Sequence, residues 1–171
     1  MTDRKLFGSS DFMKDFINHN LEQIEILDGG WSTRYVDKKS GVEWLKYTVD
    51  PERGYYYNLV QSKPALTTDD LLEIAFSSSY IDEVVAAANR LYHTDDNFRE
   101  QLLNKLHEII KKPLSNYDKE RIKNIILAAR LNDKSNRKDI LGKHYTEVFA
   151  DADYFIKISN QASDILAKLK A

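Results

Sequence analysis

The chain has no cysteine among its 171 residues. Disulfides, thiolate nucleophiles, zinc ribbons and iron–sulfur ligation are therefore excluded, and a reducing compartment is compatible with the composition. Long apolar runs are missing too. The longest, Val84 to Ala88 and Ile125 to Ala129, have five residues each, against about 20 for a bilayer span. The opening Met1-Thr2-Asp3-Arg4-Lys5 is polar at once, so neither a secretory leader nor a membrane anchor is expected and the expected location is cytoplasmic. An excess of one charge is lacking as well: the net charge is -2, which excludes binding of nucleic acid by overall charge alone. Glycine is scarce after the first third, where only Gly142 occurs.

What is present suits a folded globular protein. The chain is 42% hydrophobic and 11% aromatic, richer in core formers than a disordered segment. Its length fits one domain or two small modules sharing a core. Five of the six glycines and seven aromatics, Trp31 to Tyr57, lie before Pro64. That front reads as β structure and the glycine-poor back as helices.

The spacing predicts a short helix over Ser10 to Asn18, with Phe12, Phe16 and Ile17 (or Met13) on its inner side. A strand over Leu21 to Leu27 ends at Gly29-Gly30. Strands over Trp31 to Val36 and Val42 to Val49 flank the loop Asp37 to Gly41, and Asp50-Pro51-Glu52-Arg53-Gly54 turns the chain into a third strand of the meander, Tyr55 to Gln61. A sheet of three or four antiparallel strands is expected. From Thr67 the apolar period changes from two to about 3.6. Thr67-x-x-Asp70 resembles a capping box, and helices are expected at 67–76, from Ser79, at 96–111, 117–131, 139–149 and 153–169. Each has a single apolar stripe, such as Ile122, Ile125, Ile126 and Ala129, and needs a partner on that side. The fold class expected is α+β: a small N-terminal antiparallel β-meander in residues 1–66, then a HEAT-like stack of antiparallel α-helices in 67–171, forming one compact unit with the sheet.

Signals for catalysis are thin. No two histidines are close in sequence, and His144-x-x-Glu147 is a lone pair at helical spacing, too few for a metal site. Ser77-Ser78-Ser79 lacks a Gly-x-Ser-x-Gly elbow and is better read as helix capping. Neither Gly-x-x-x-x-Gly-Lys nor Gly-x-Gly-x-x-Gly occurs. No metal, cofactor or enzymatic activity is expected.

Two features point to binding. The aromatic set of the front includes Trp44, Tyr55 and Tyr57, and alternation along a strand puts Tyr55 and Tyr57 on one face and Tyr56 on the other. Tyrosine and tryptophan are favoured anchors in interfaces. The second feature is acidic: residues 67–112 carry 5 basic and 9 acidic side chains, among them Asp69, Asp70, Glu73, Asp82, Glu83, Asp95 and Asp96. Such a series can steer a basic partner. The opposite sign marks residues 113–171, with 11 basic and 8 acidic, where Lys119, Arg121, Lys123, Arg130, Lys134, Arg137, Lys138 and Lys143 supply the alternative reading of a nucleic-acid-binding or regulatory module. A third alternative is a small hydrolase whose carboxylates meet only in space.

Ser78-Ser79-Tyr80-Ile81-Asp82-Glu83-Val84-Val85-Ala86-Ala87-Ala88-Asn89-Arg90-Leu91, followed by Phe98-Arg99-Glu100-Gln101-Leu102-Leu103, resembles a HEAT-like helix pair. Joined to an aromatic β front in a small cysteine-free chain, it is similar to immunity proteins of bacterial polymorphic-toxin systems. The resemblance covers about two-thirds of the chain in general pattern and includes no diagnostic motif. It implies a non-enzymatic partner that occludes a cognate toxin's active site, and transfers no individual site residue; a monomer or homodimer is expected.

Overall fold

The computed structural model describes residues 4–49, 56–94, 97–134 and 142–170. In chain order the elements are β1 (Leu6–Phe7), α1 (Asp11–Asn20), β2 (Leu21–Leu27), a 3-10 turn (Asp28–Gly30), β3 (Ser32–Asp37), β4 (Glu43–Thr48), β5 (Tyr57–Lys63), α2 (Thr68–Ser77), α3 (Ile81–Thr94), α4 (Phe98–Ile109), α5 (Asn116–Ala128) and α6 (Tyr145–Lys168). The protein is thus α+β, a five-stranded antiparallel sheet followed by five helices. It divides into two compact units, Met1–Arg90 and Leu91–Ala171.

In the first unit the strand order is β1-β5-β4-β3-β2. The meander β2 to β5 follows the expected strands, while β1 is an addition: two residues have no readable period, yet Leu6 and Phe7 pair with Val60 and Leu59. Asp28, Gly29 and Gly30 all have positive φ in the turn from β2 to β3, which explains the glycine pair. The β3–β4 loop is closed by the Asp37 carboxylate, which accepts from the N–H groups of Lys39 (2.9 Å) and Ser40 (2.8 Å).

Strand register decides which aromatics are buried. Tyr35 lies opposite Trp44, Lys46 opposite Leu59, and Leu59 opposite Phe7, so Tyr35, Trp44, Leu59 and Phe7 share a face. Met13, Phe16 and Ile17 of α1 pack there with Leu21, Val42 and Tyr57. Phe12, expected on the inner side of the helix, is 75% exposed: α1 turns its Met13 edge inward, leaving Phe12 on the far flank. The other face carries the buried Leu6, Tyr47, Asn58 and Val60. It also holds a charge ladder across four strands, in which Arg34 donates to Glu25 (3.0 Å) and Glu43 (2.8 Å), and Lys63 to Glu43 (3.0 Å).

In the second unit the expected stripes are buried: Phe98, Leu102 and Leu106 of α4, Ile122, Ile125 and Ile126 of α5, and Phe155, Ile158, Ala162 and Ile165 of α6. The two C-terminal helices expected at 139–149 and 153–169 are instead one helix from Tyr145, with residues 139–141 outside those described. Phe149 to Asp153 contains neither glycine nor proline, so nothing interrupts the backbone hydrogen bonds. Among the described residues the helix pair with the most extensive close approach is α4 with α6, which are not successive.

Candidate functional site

A cleft of 440 Å³ opens beside α1 within the first unit. One part of its lining is a helical stripe, Phe12, Asp15, Phe16 and His19, whose spacings of three and four put all four on one side of α1. Arg4, Phe7, Tyr80 and Asp82 contribute more of the lining. Local chemistry fixes the helix that carries the stripe. Ser10 caps it, its hydroxyl accepting from the Met13 N–H at 3.2 Å, and Asn20 closes the other end by donating to the Phe16 carbonyl at 3.1 Å. Phe16 stacks on Phe7 at 4.7 Å between ring centroids and meets Trp44 edge-on at 5.1 Å. The aromatic lining therefore continues into the core.

Arg4 fixes the rest. Its side chain is buried, with the guanidinium over the rings of Phe7 (4.3 Å) and Tyr80 (4.5 Å). It donates to the Asp82 carboxylate and lies 3.9 Å from that of Glu83. Glu83 in turn accepts from the Ser78 hydroxyl at 2.6 Å. The Gly8 N–H also donates to Asp82, at 3.2 Å. A Cβ at position 8 would lie 2.7 Å from the Asp82 carbonyl oxygen, so the close approach of this segment to α3 requires glycine.

The sequence-predicted residues are dispersed by these contacts. Asp82 and Glu83 are engaged by Arg4. Asp70 closes the capping box of α2, accepting from the Thr67 hydroxyl and N–H, which hold its carboxyl below the ordinary range. Asp69 and Glu73 are exposed on α2. Tyr57 is half-buried with the Lys46 ammonium 4.4 Å over its ring. Trp44 is only 4% exposed and belongs to the core. Tyr55, Asp95 and Asp96 lie outside the described residues.

Sequence reasoning missed Arg4, Phe12, Asp15, His19 and Tyr80. One signal was available: Phe12, Met13, Phe16 and Ile17 are too many apolar residues for one narrow stripe of a ten-residue helix, so part of the set had to face elsewhere. Asp15 and His19 carried no signal, being ordinary surface residues until Tyr80 and Arg4 come beside them.

Other features have simpler explanations. His144 and Glu147 form a reciprocal cap for α6, with Glu147 accepting from the His144 N–H at 3.0 Å. Among the described residues no group of three or more histidines and carboxylates is placed to hold a metal ion, and no helix is long and apolar enough to cross a membrane. Part of the basic C-terminal series has acidic neighbours: Arg121 is 3.9 Å from Asp118, Lys123 is 3.8 Å from Glu120, and Lys143 is 2.7 Å from Asp151. Arg137 and Lys138 lie outside the described residues.

Compared with known proteins, the chain matches no family model, no curated protein and no solved structure.

Proposed function

We propose that this chain is a non-enzymatic protein-binding protein, most specifically an immunity- or antitoxin-like inhibitor that covers a partner toxin in the cytoplasm. A HEAT-like role for helices α2 to α6 belongs to the same proposal. The observation that carries the reading is the exposure of two large aromatics, Phe12 at 75% and Tyr80 at 52%, on a cleft whose lining also includes the buried Phe7 and Arg4 side chains. Interface energy concentrates on such aromatic anchors. The capped α1 fixes the backbone that carries Phe12, and the Arg4 guanidinium lies over the Tyr80 ring, which reduces the ordering cost of association. The acidic residues expected to steer a partner contribute less, because Asp82, Glu83 and Asp70 already have internal partners.

The test is co-expression with the product of each neighbouring reading frame, followed by measurement of affinity for any protein that forms a stoichiometric complex. Phe12→Ala and Tyr80→Ala are each expected to weaken that complex tenfold or more, about 1.4 kcal/mol, with the melting temperature unchanged in Phe12→Ala. Full affinity in both variants would reject the cleft as the docking surface.

A further inference from the structure

We infer that the cleft beside α1 receives an arginine side chain of the partner protein. This deepens the proposed function and rests on it, since it names the chemistry that the aromatic anchors are built to recognise. Three observations lead there. First, the lining combines the exposed Phe12 and Tyr80, the latter with Arg4 over one face of its ring, with the carboxylate of Asp15 on the same helical stripe as Phe12. Second, charge around the cleft is unequal. The only arginine or lysine in its lining, Arg4, is countered by both Asp82 and Glu83, while no hydrogen bond or ion pair occupies the exposed Asp15 carboxylate among the described residues. Third, the protein already holds one guanidinium in this manner, with Arg4 stacked over Phe7 and Tyr80 and paired to Asp82.

Elimination favours the same occupant. An anion would meet Asp15 and Asp82, and like charges brought together in a partly desolvated cleft repel. A purely apolar side chain would strip water from Asp15 and leave that carboxylate without a partner, which is unfavourable. A guanidinium satisfies both demands: its planar face stacks on aromatic rings and its edge donates to a carboxylate. Lysine offers the charge without the flat face, so arginine is the better fit. His19, on the same stripe, lines the cleft but donates its Nδ1–H to the Asp15 backbone carbonyl at 2.8 Å, leaving the carboxylate free for a ligand.

The experiment uses the full chain, isotope-labelled, titrated by NMR with the capped tripeptide acetyl-Gly-Arg-Gly-amide and with its citrulline counterpart, which keeps the shape and loses the charge. The arginine peptide is expected to shift signals of Phe12, Asp15, Phe16 and Tyr80 with millimolar affinity, and the citrulline peptide to bind roughly 5- to 30-fold more weakly. Asp15→Asn, a surface change that keeps the helix, is expected to abolish the difference between the two peptides. Equal shifts from both peptides, no localised shifts, or undiminished discrimination in Asp15→Asn would overturn the inference. The two claims fail separately. If Phe12→Ala weakens a partner complex while the arginine peptide is silent and Asp15→Asn keeps full affinity, the docking surface stands and the arginine falls. If the arginine peptide binds selectively but both Phe12→Ala and Tyr80→Ala leave the partner complex intact, the site's preference for guanidinium stands and the docking reading falls.

Discussion

Arg4 and Gly8 show how single residues near the chain start set the geometry of everything around the cleft. The buried Arg4 side chain lies against two rings and answers two carboxylates. Its removal leaves Asp82 and Glu83 with only the Gly8 and Ser78 hydrogen bonds, so Arg4→Ala is expected to destabilise the first unit by about 3 kcal/mol, measured by urea denaturation. Gly8→Ala tests a different force. The added methyl meets backbone oxygen at 2.7 Å rather than a movable side chain, and an overpacking cost of about 1–3 kcal/mol is expected in the same assay. Phe12→Ala is the contrast: an exposed ring has little to lose, and a change within about 0.5 kcal/mol is expected. None of these three effects is written in the local sequence, since glycine, arginine and phenylalanine all read there as ordinary loop or helix residues.

At the scale of elements, α2 and α5 begin with the same hydroxyl–aspartate form of the reciprocal cap. Thr67 with Asp70 and Ser115 with Asp118 each satisfy helix N–H groups that have no partner within the helix. In both boxes the cap hydroxyl donates to the carboxylate, at 2.7 Å and 2.6 Å, and the cap N–H adds a second bond. These bonds favour the charged form and hold the carboxyls of Asp70 and Asp118 below the ordinary range. Asp37 is lowered too, first by the Ser40 N–H, and Glu43 by Arg34 and then Lys63. A carboxyl whose folded-state pKa is depressed contributes stability in full above its unfolded value, near about 4, and loses it as pH falls through the lower folded value. The melting temperature is therefore expected to fall as pH drops below about 4, and Asp70→Asn with Asp118→Asn to flatten that dependence. An unchanged pH profile in the double variant would show that the caps contribute nothing through their charge. The Thr67 box was legible from a four-residue spacing because capping is local. The His144 box was not, because a histidine three residues before a glutamate reads equally as a metal-ligand fragment.

For the whole molecule, the consequences of charge are collective. The net charge of -2 and a sequence pI of 6.1 place the solubility minimum near neutral charge. Light scattering across a pH series should therefore reach its maximum near pH 6.1. Exposed apolar groups at the open edge of the sheet, Ile24 and Ile26 on β2 with Trp31 beyond it, supply surface for association there.

The sequence by itself determined the α+β order, the meander, the capped start of α2 and nearly every apolar stripe of the later helices. These depend on neighbours within a few positions: alternation, the 3.6-residue period, and turn residues that tolerate positive φ. Tertiary structure alone decided the rest. The two-residue β1 exists because β5 supplies its hydrogen bonds, and Trp44 is core because its strand register puts it beside Tyr35 under α1. The cleft belongs to this second class. Asp82, eligible from its sequence as a free acidic contact, is instead joined to an arginine 78 positions away, and that distant pairing leaves Asp15, Phe12 and Tyr80 as the groups open to a ligand.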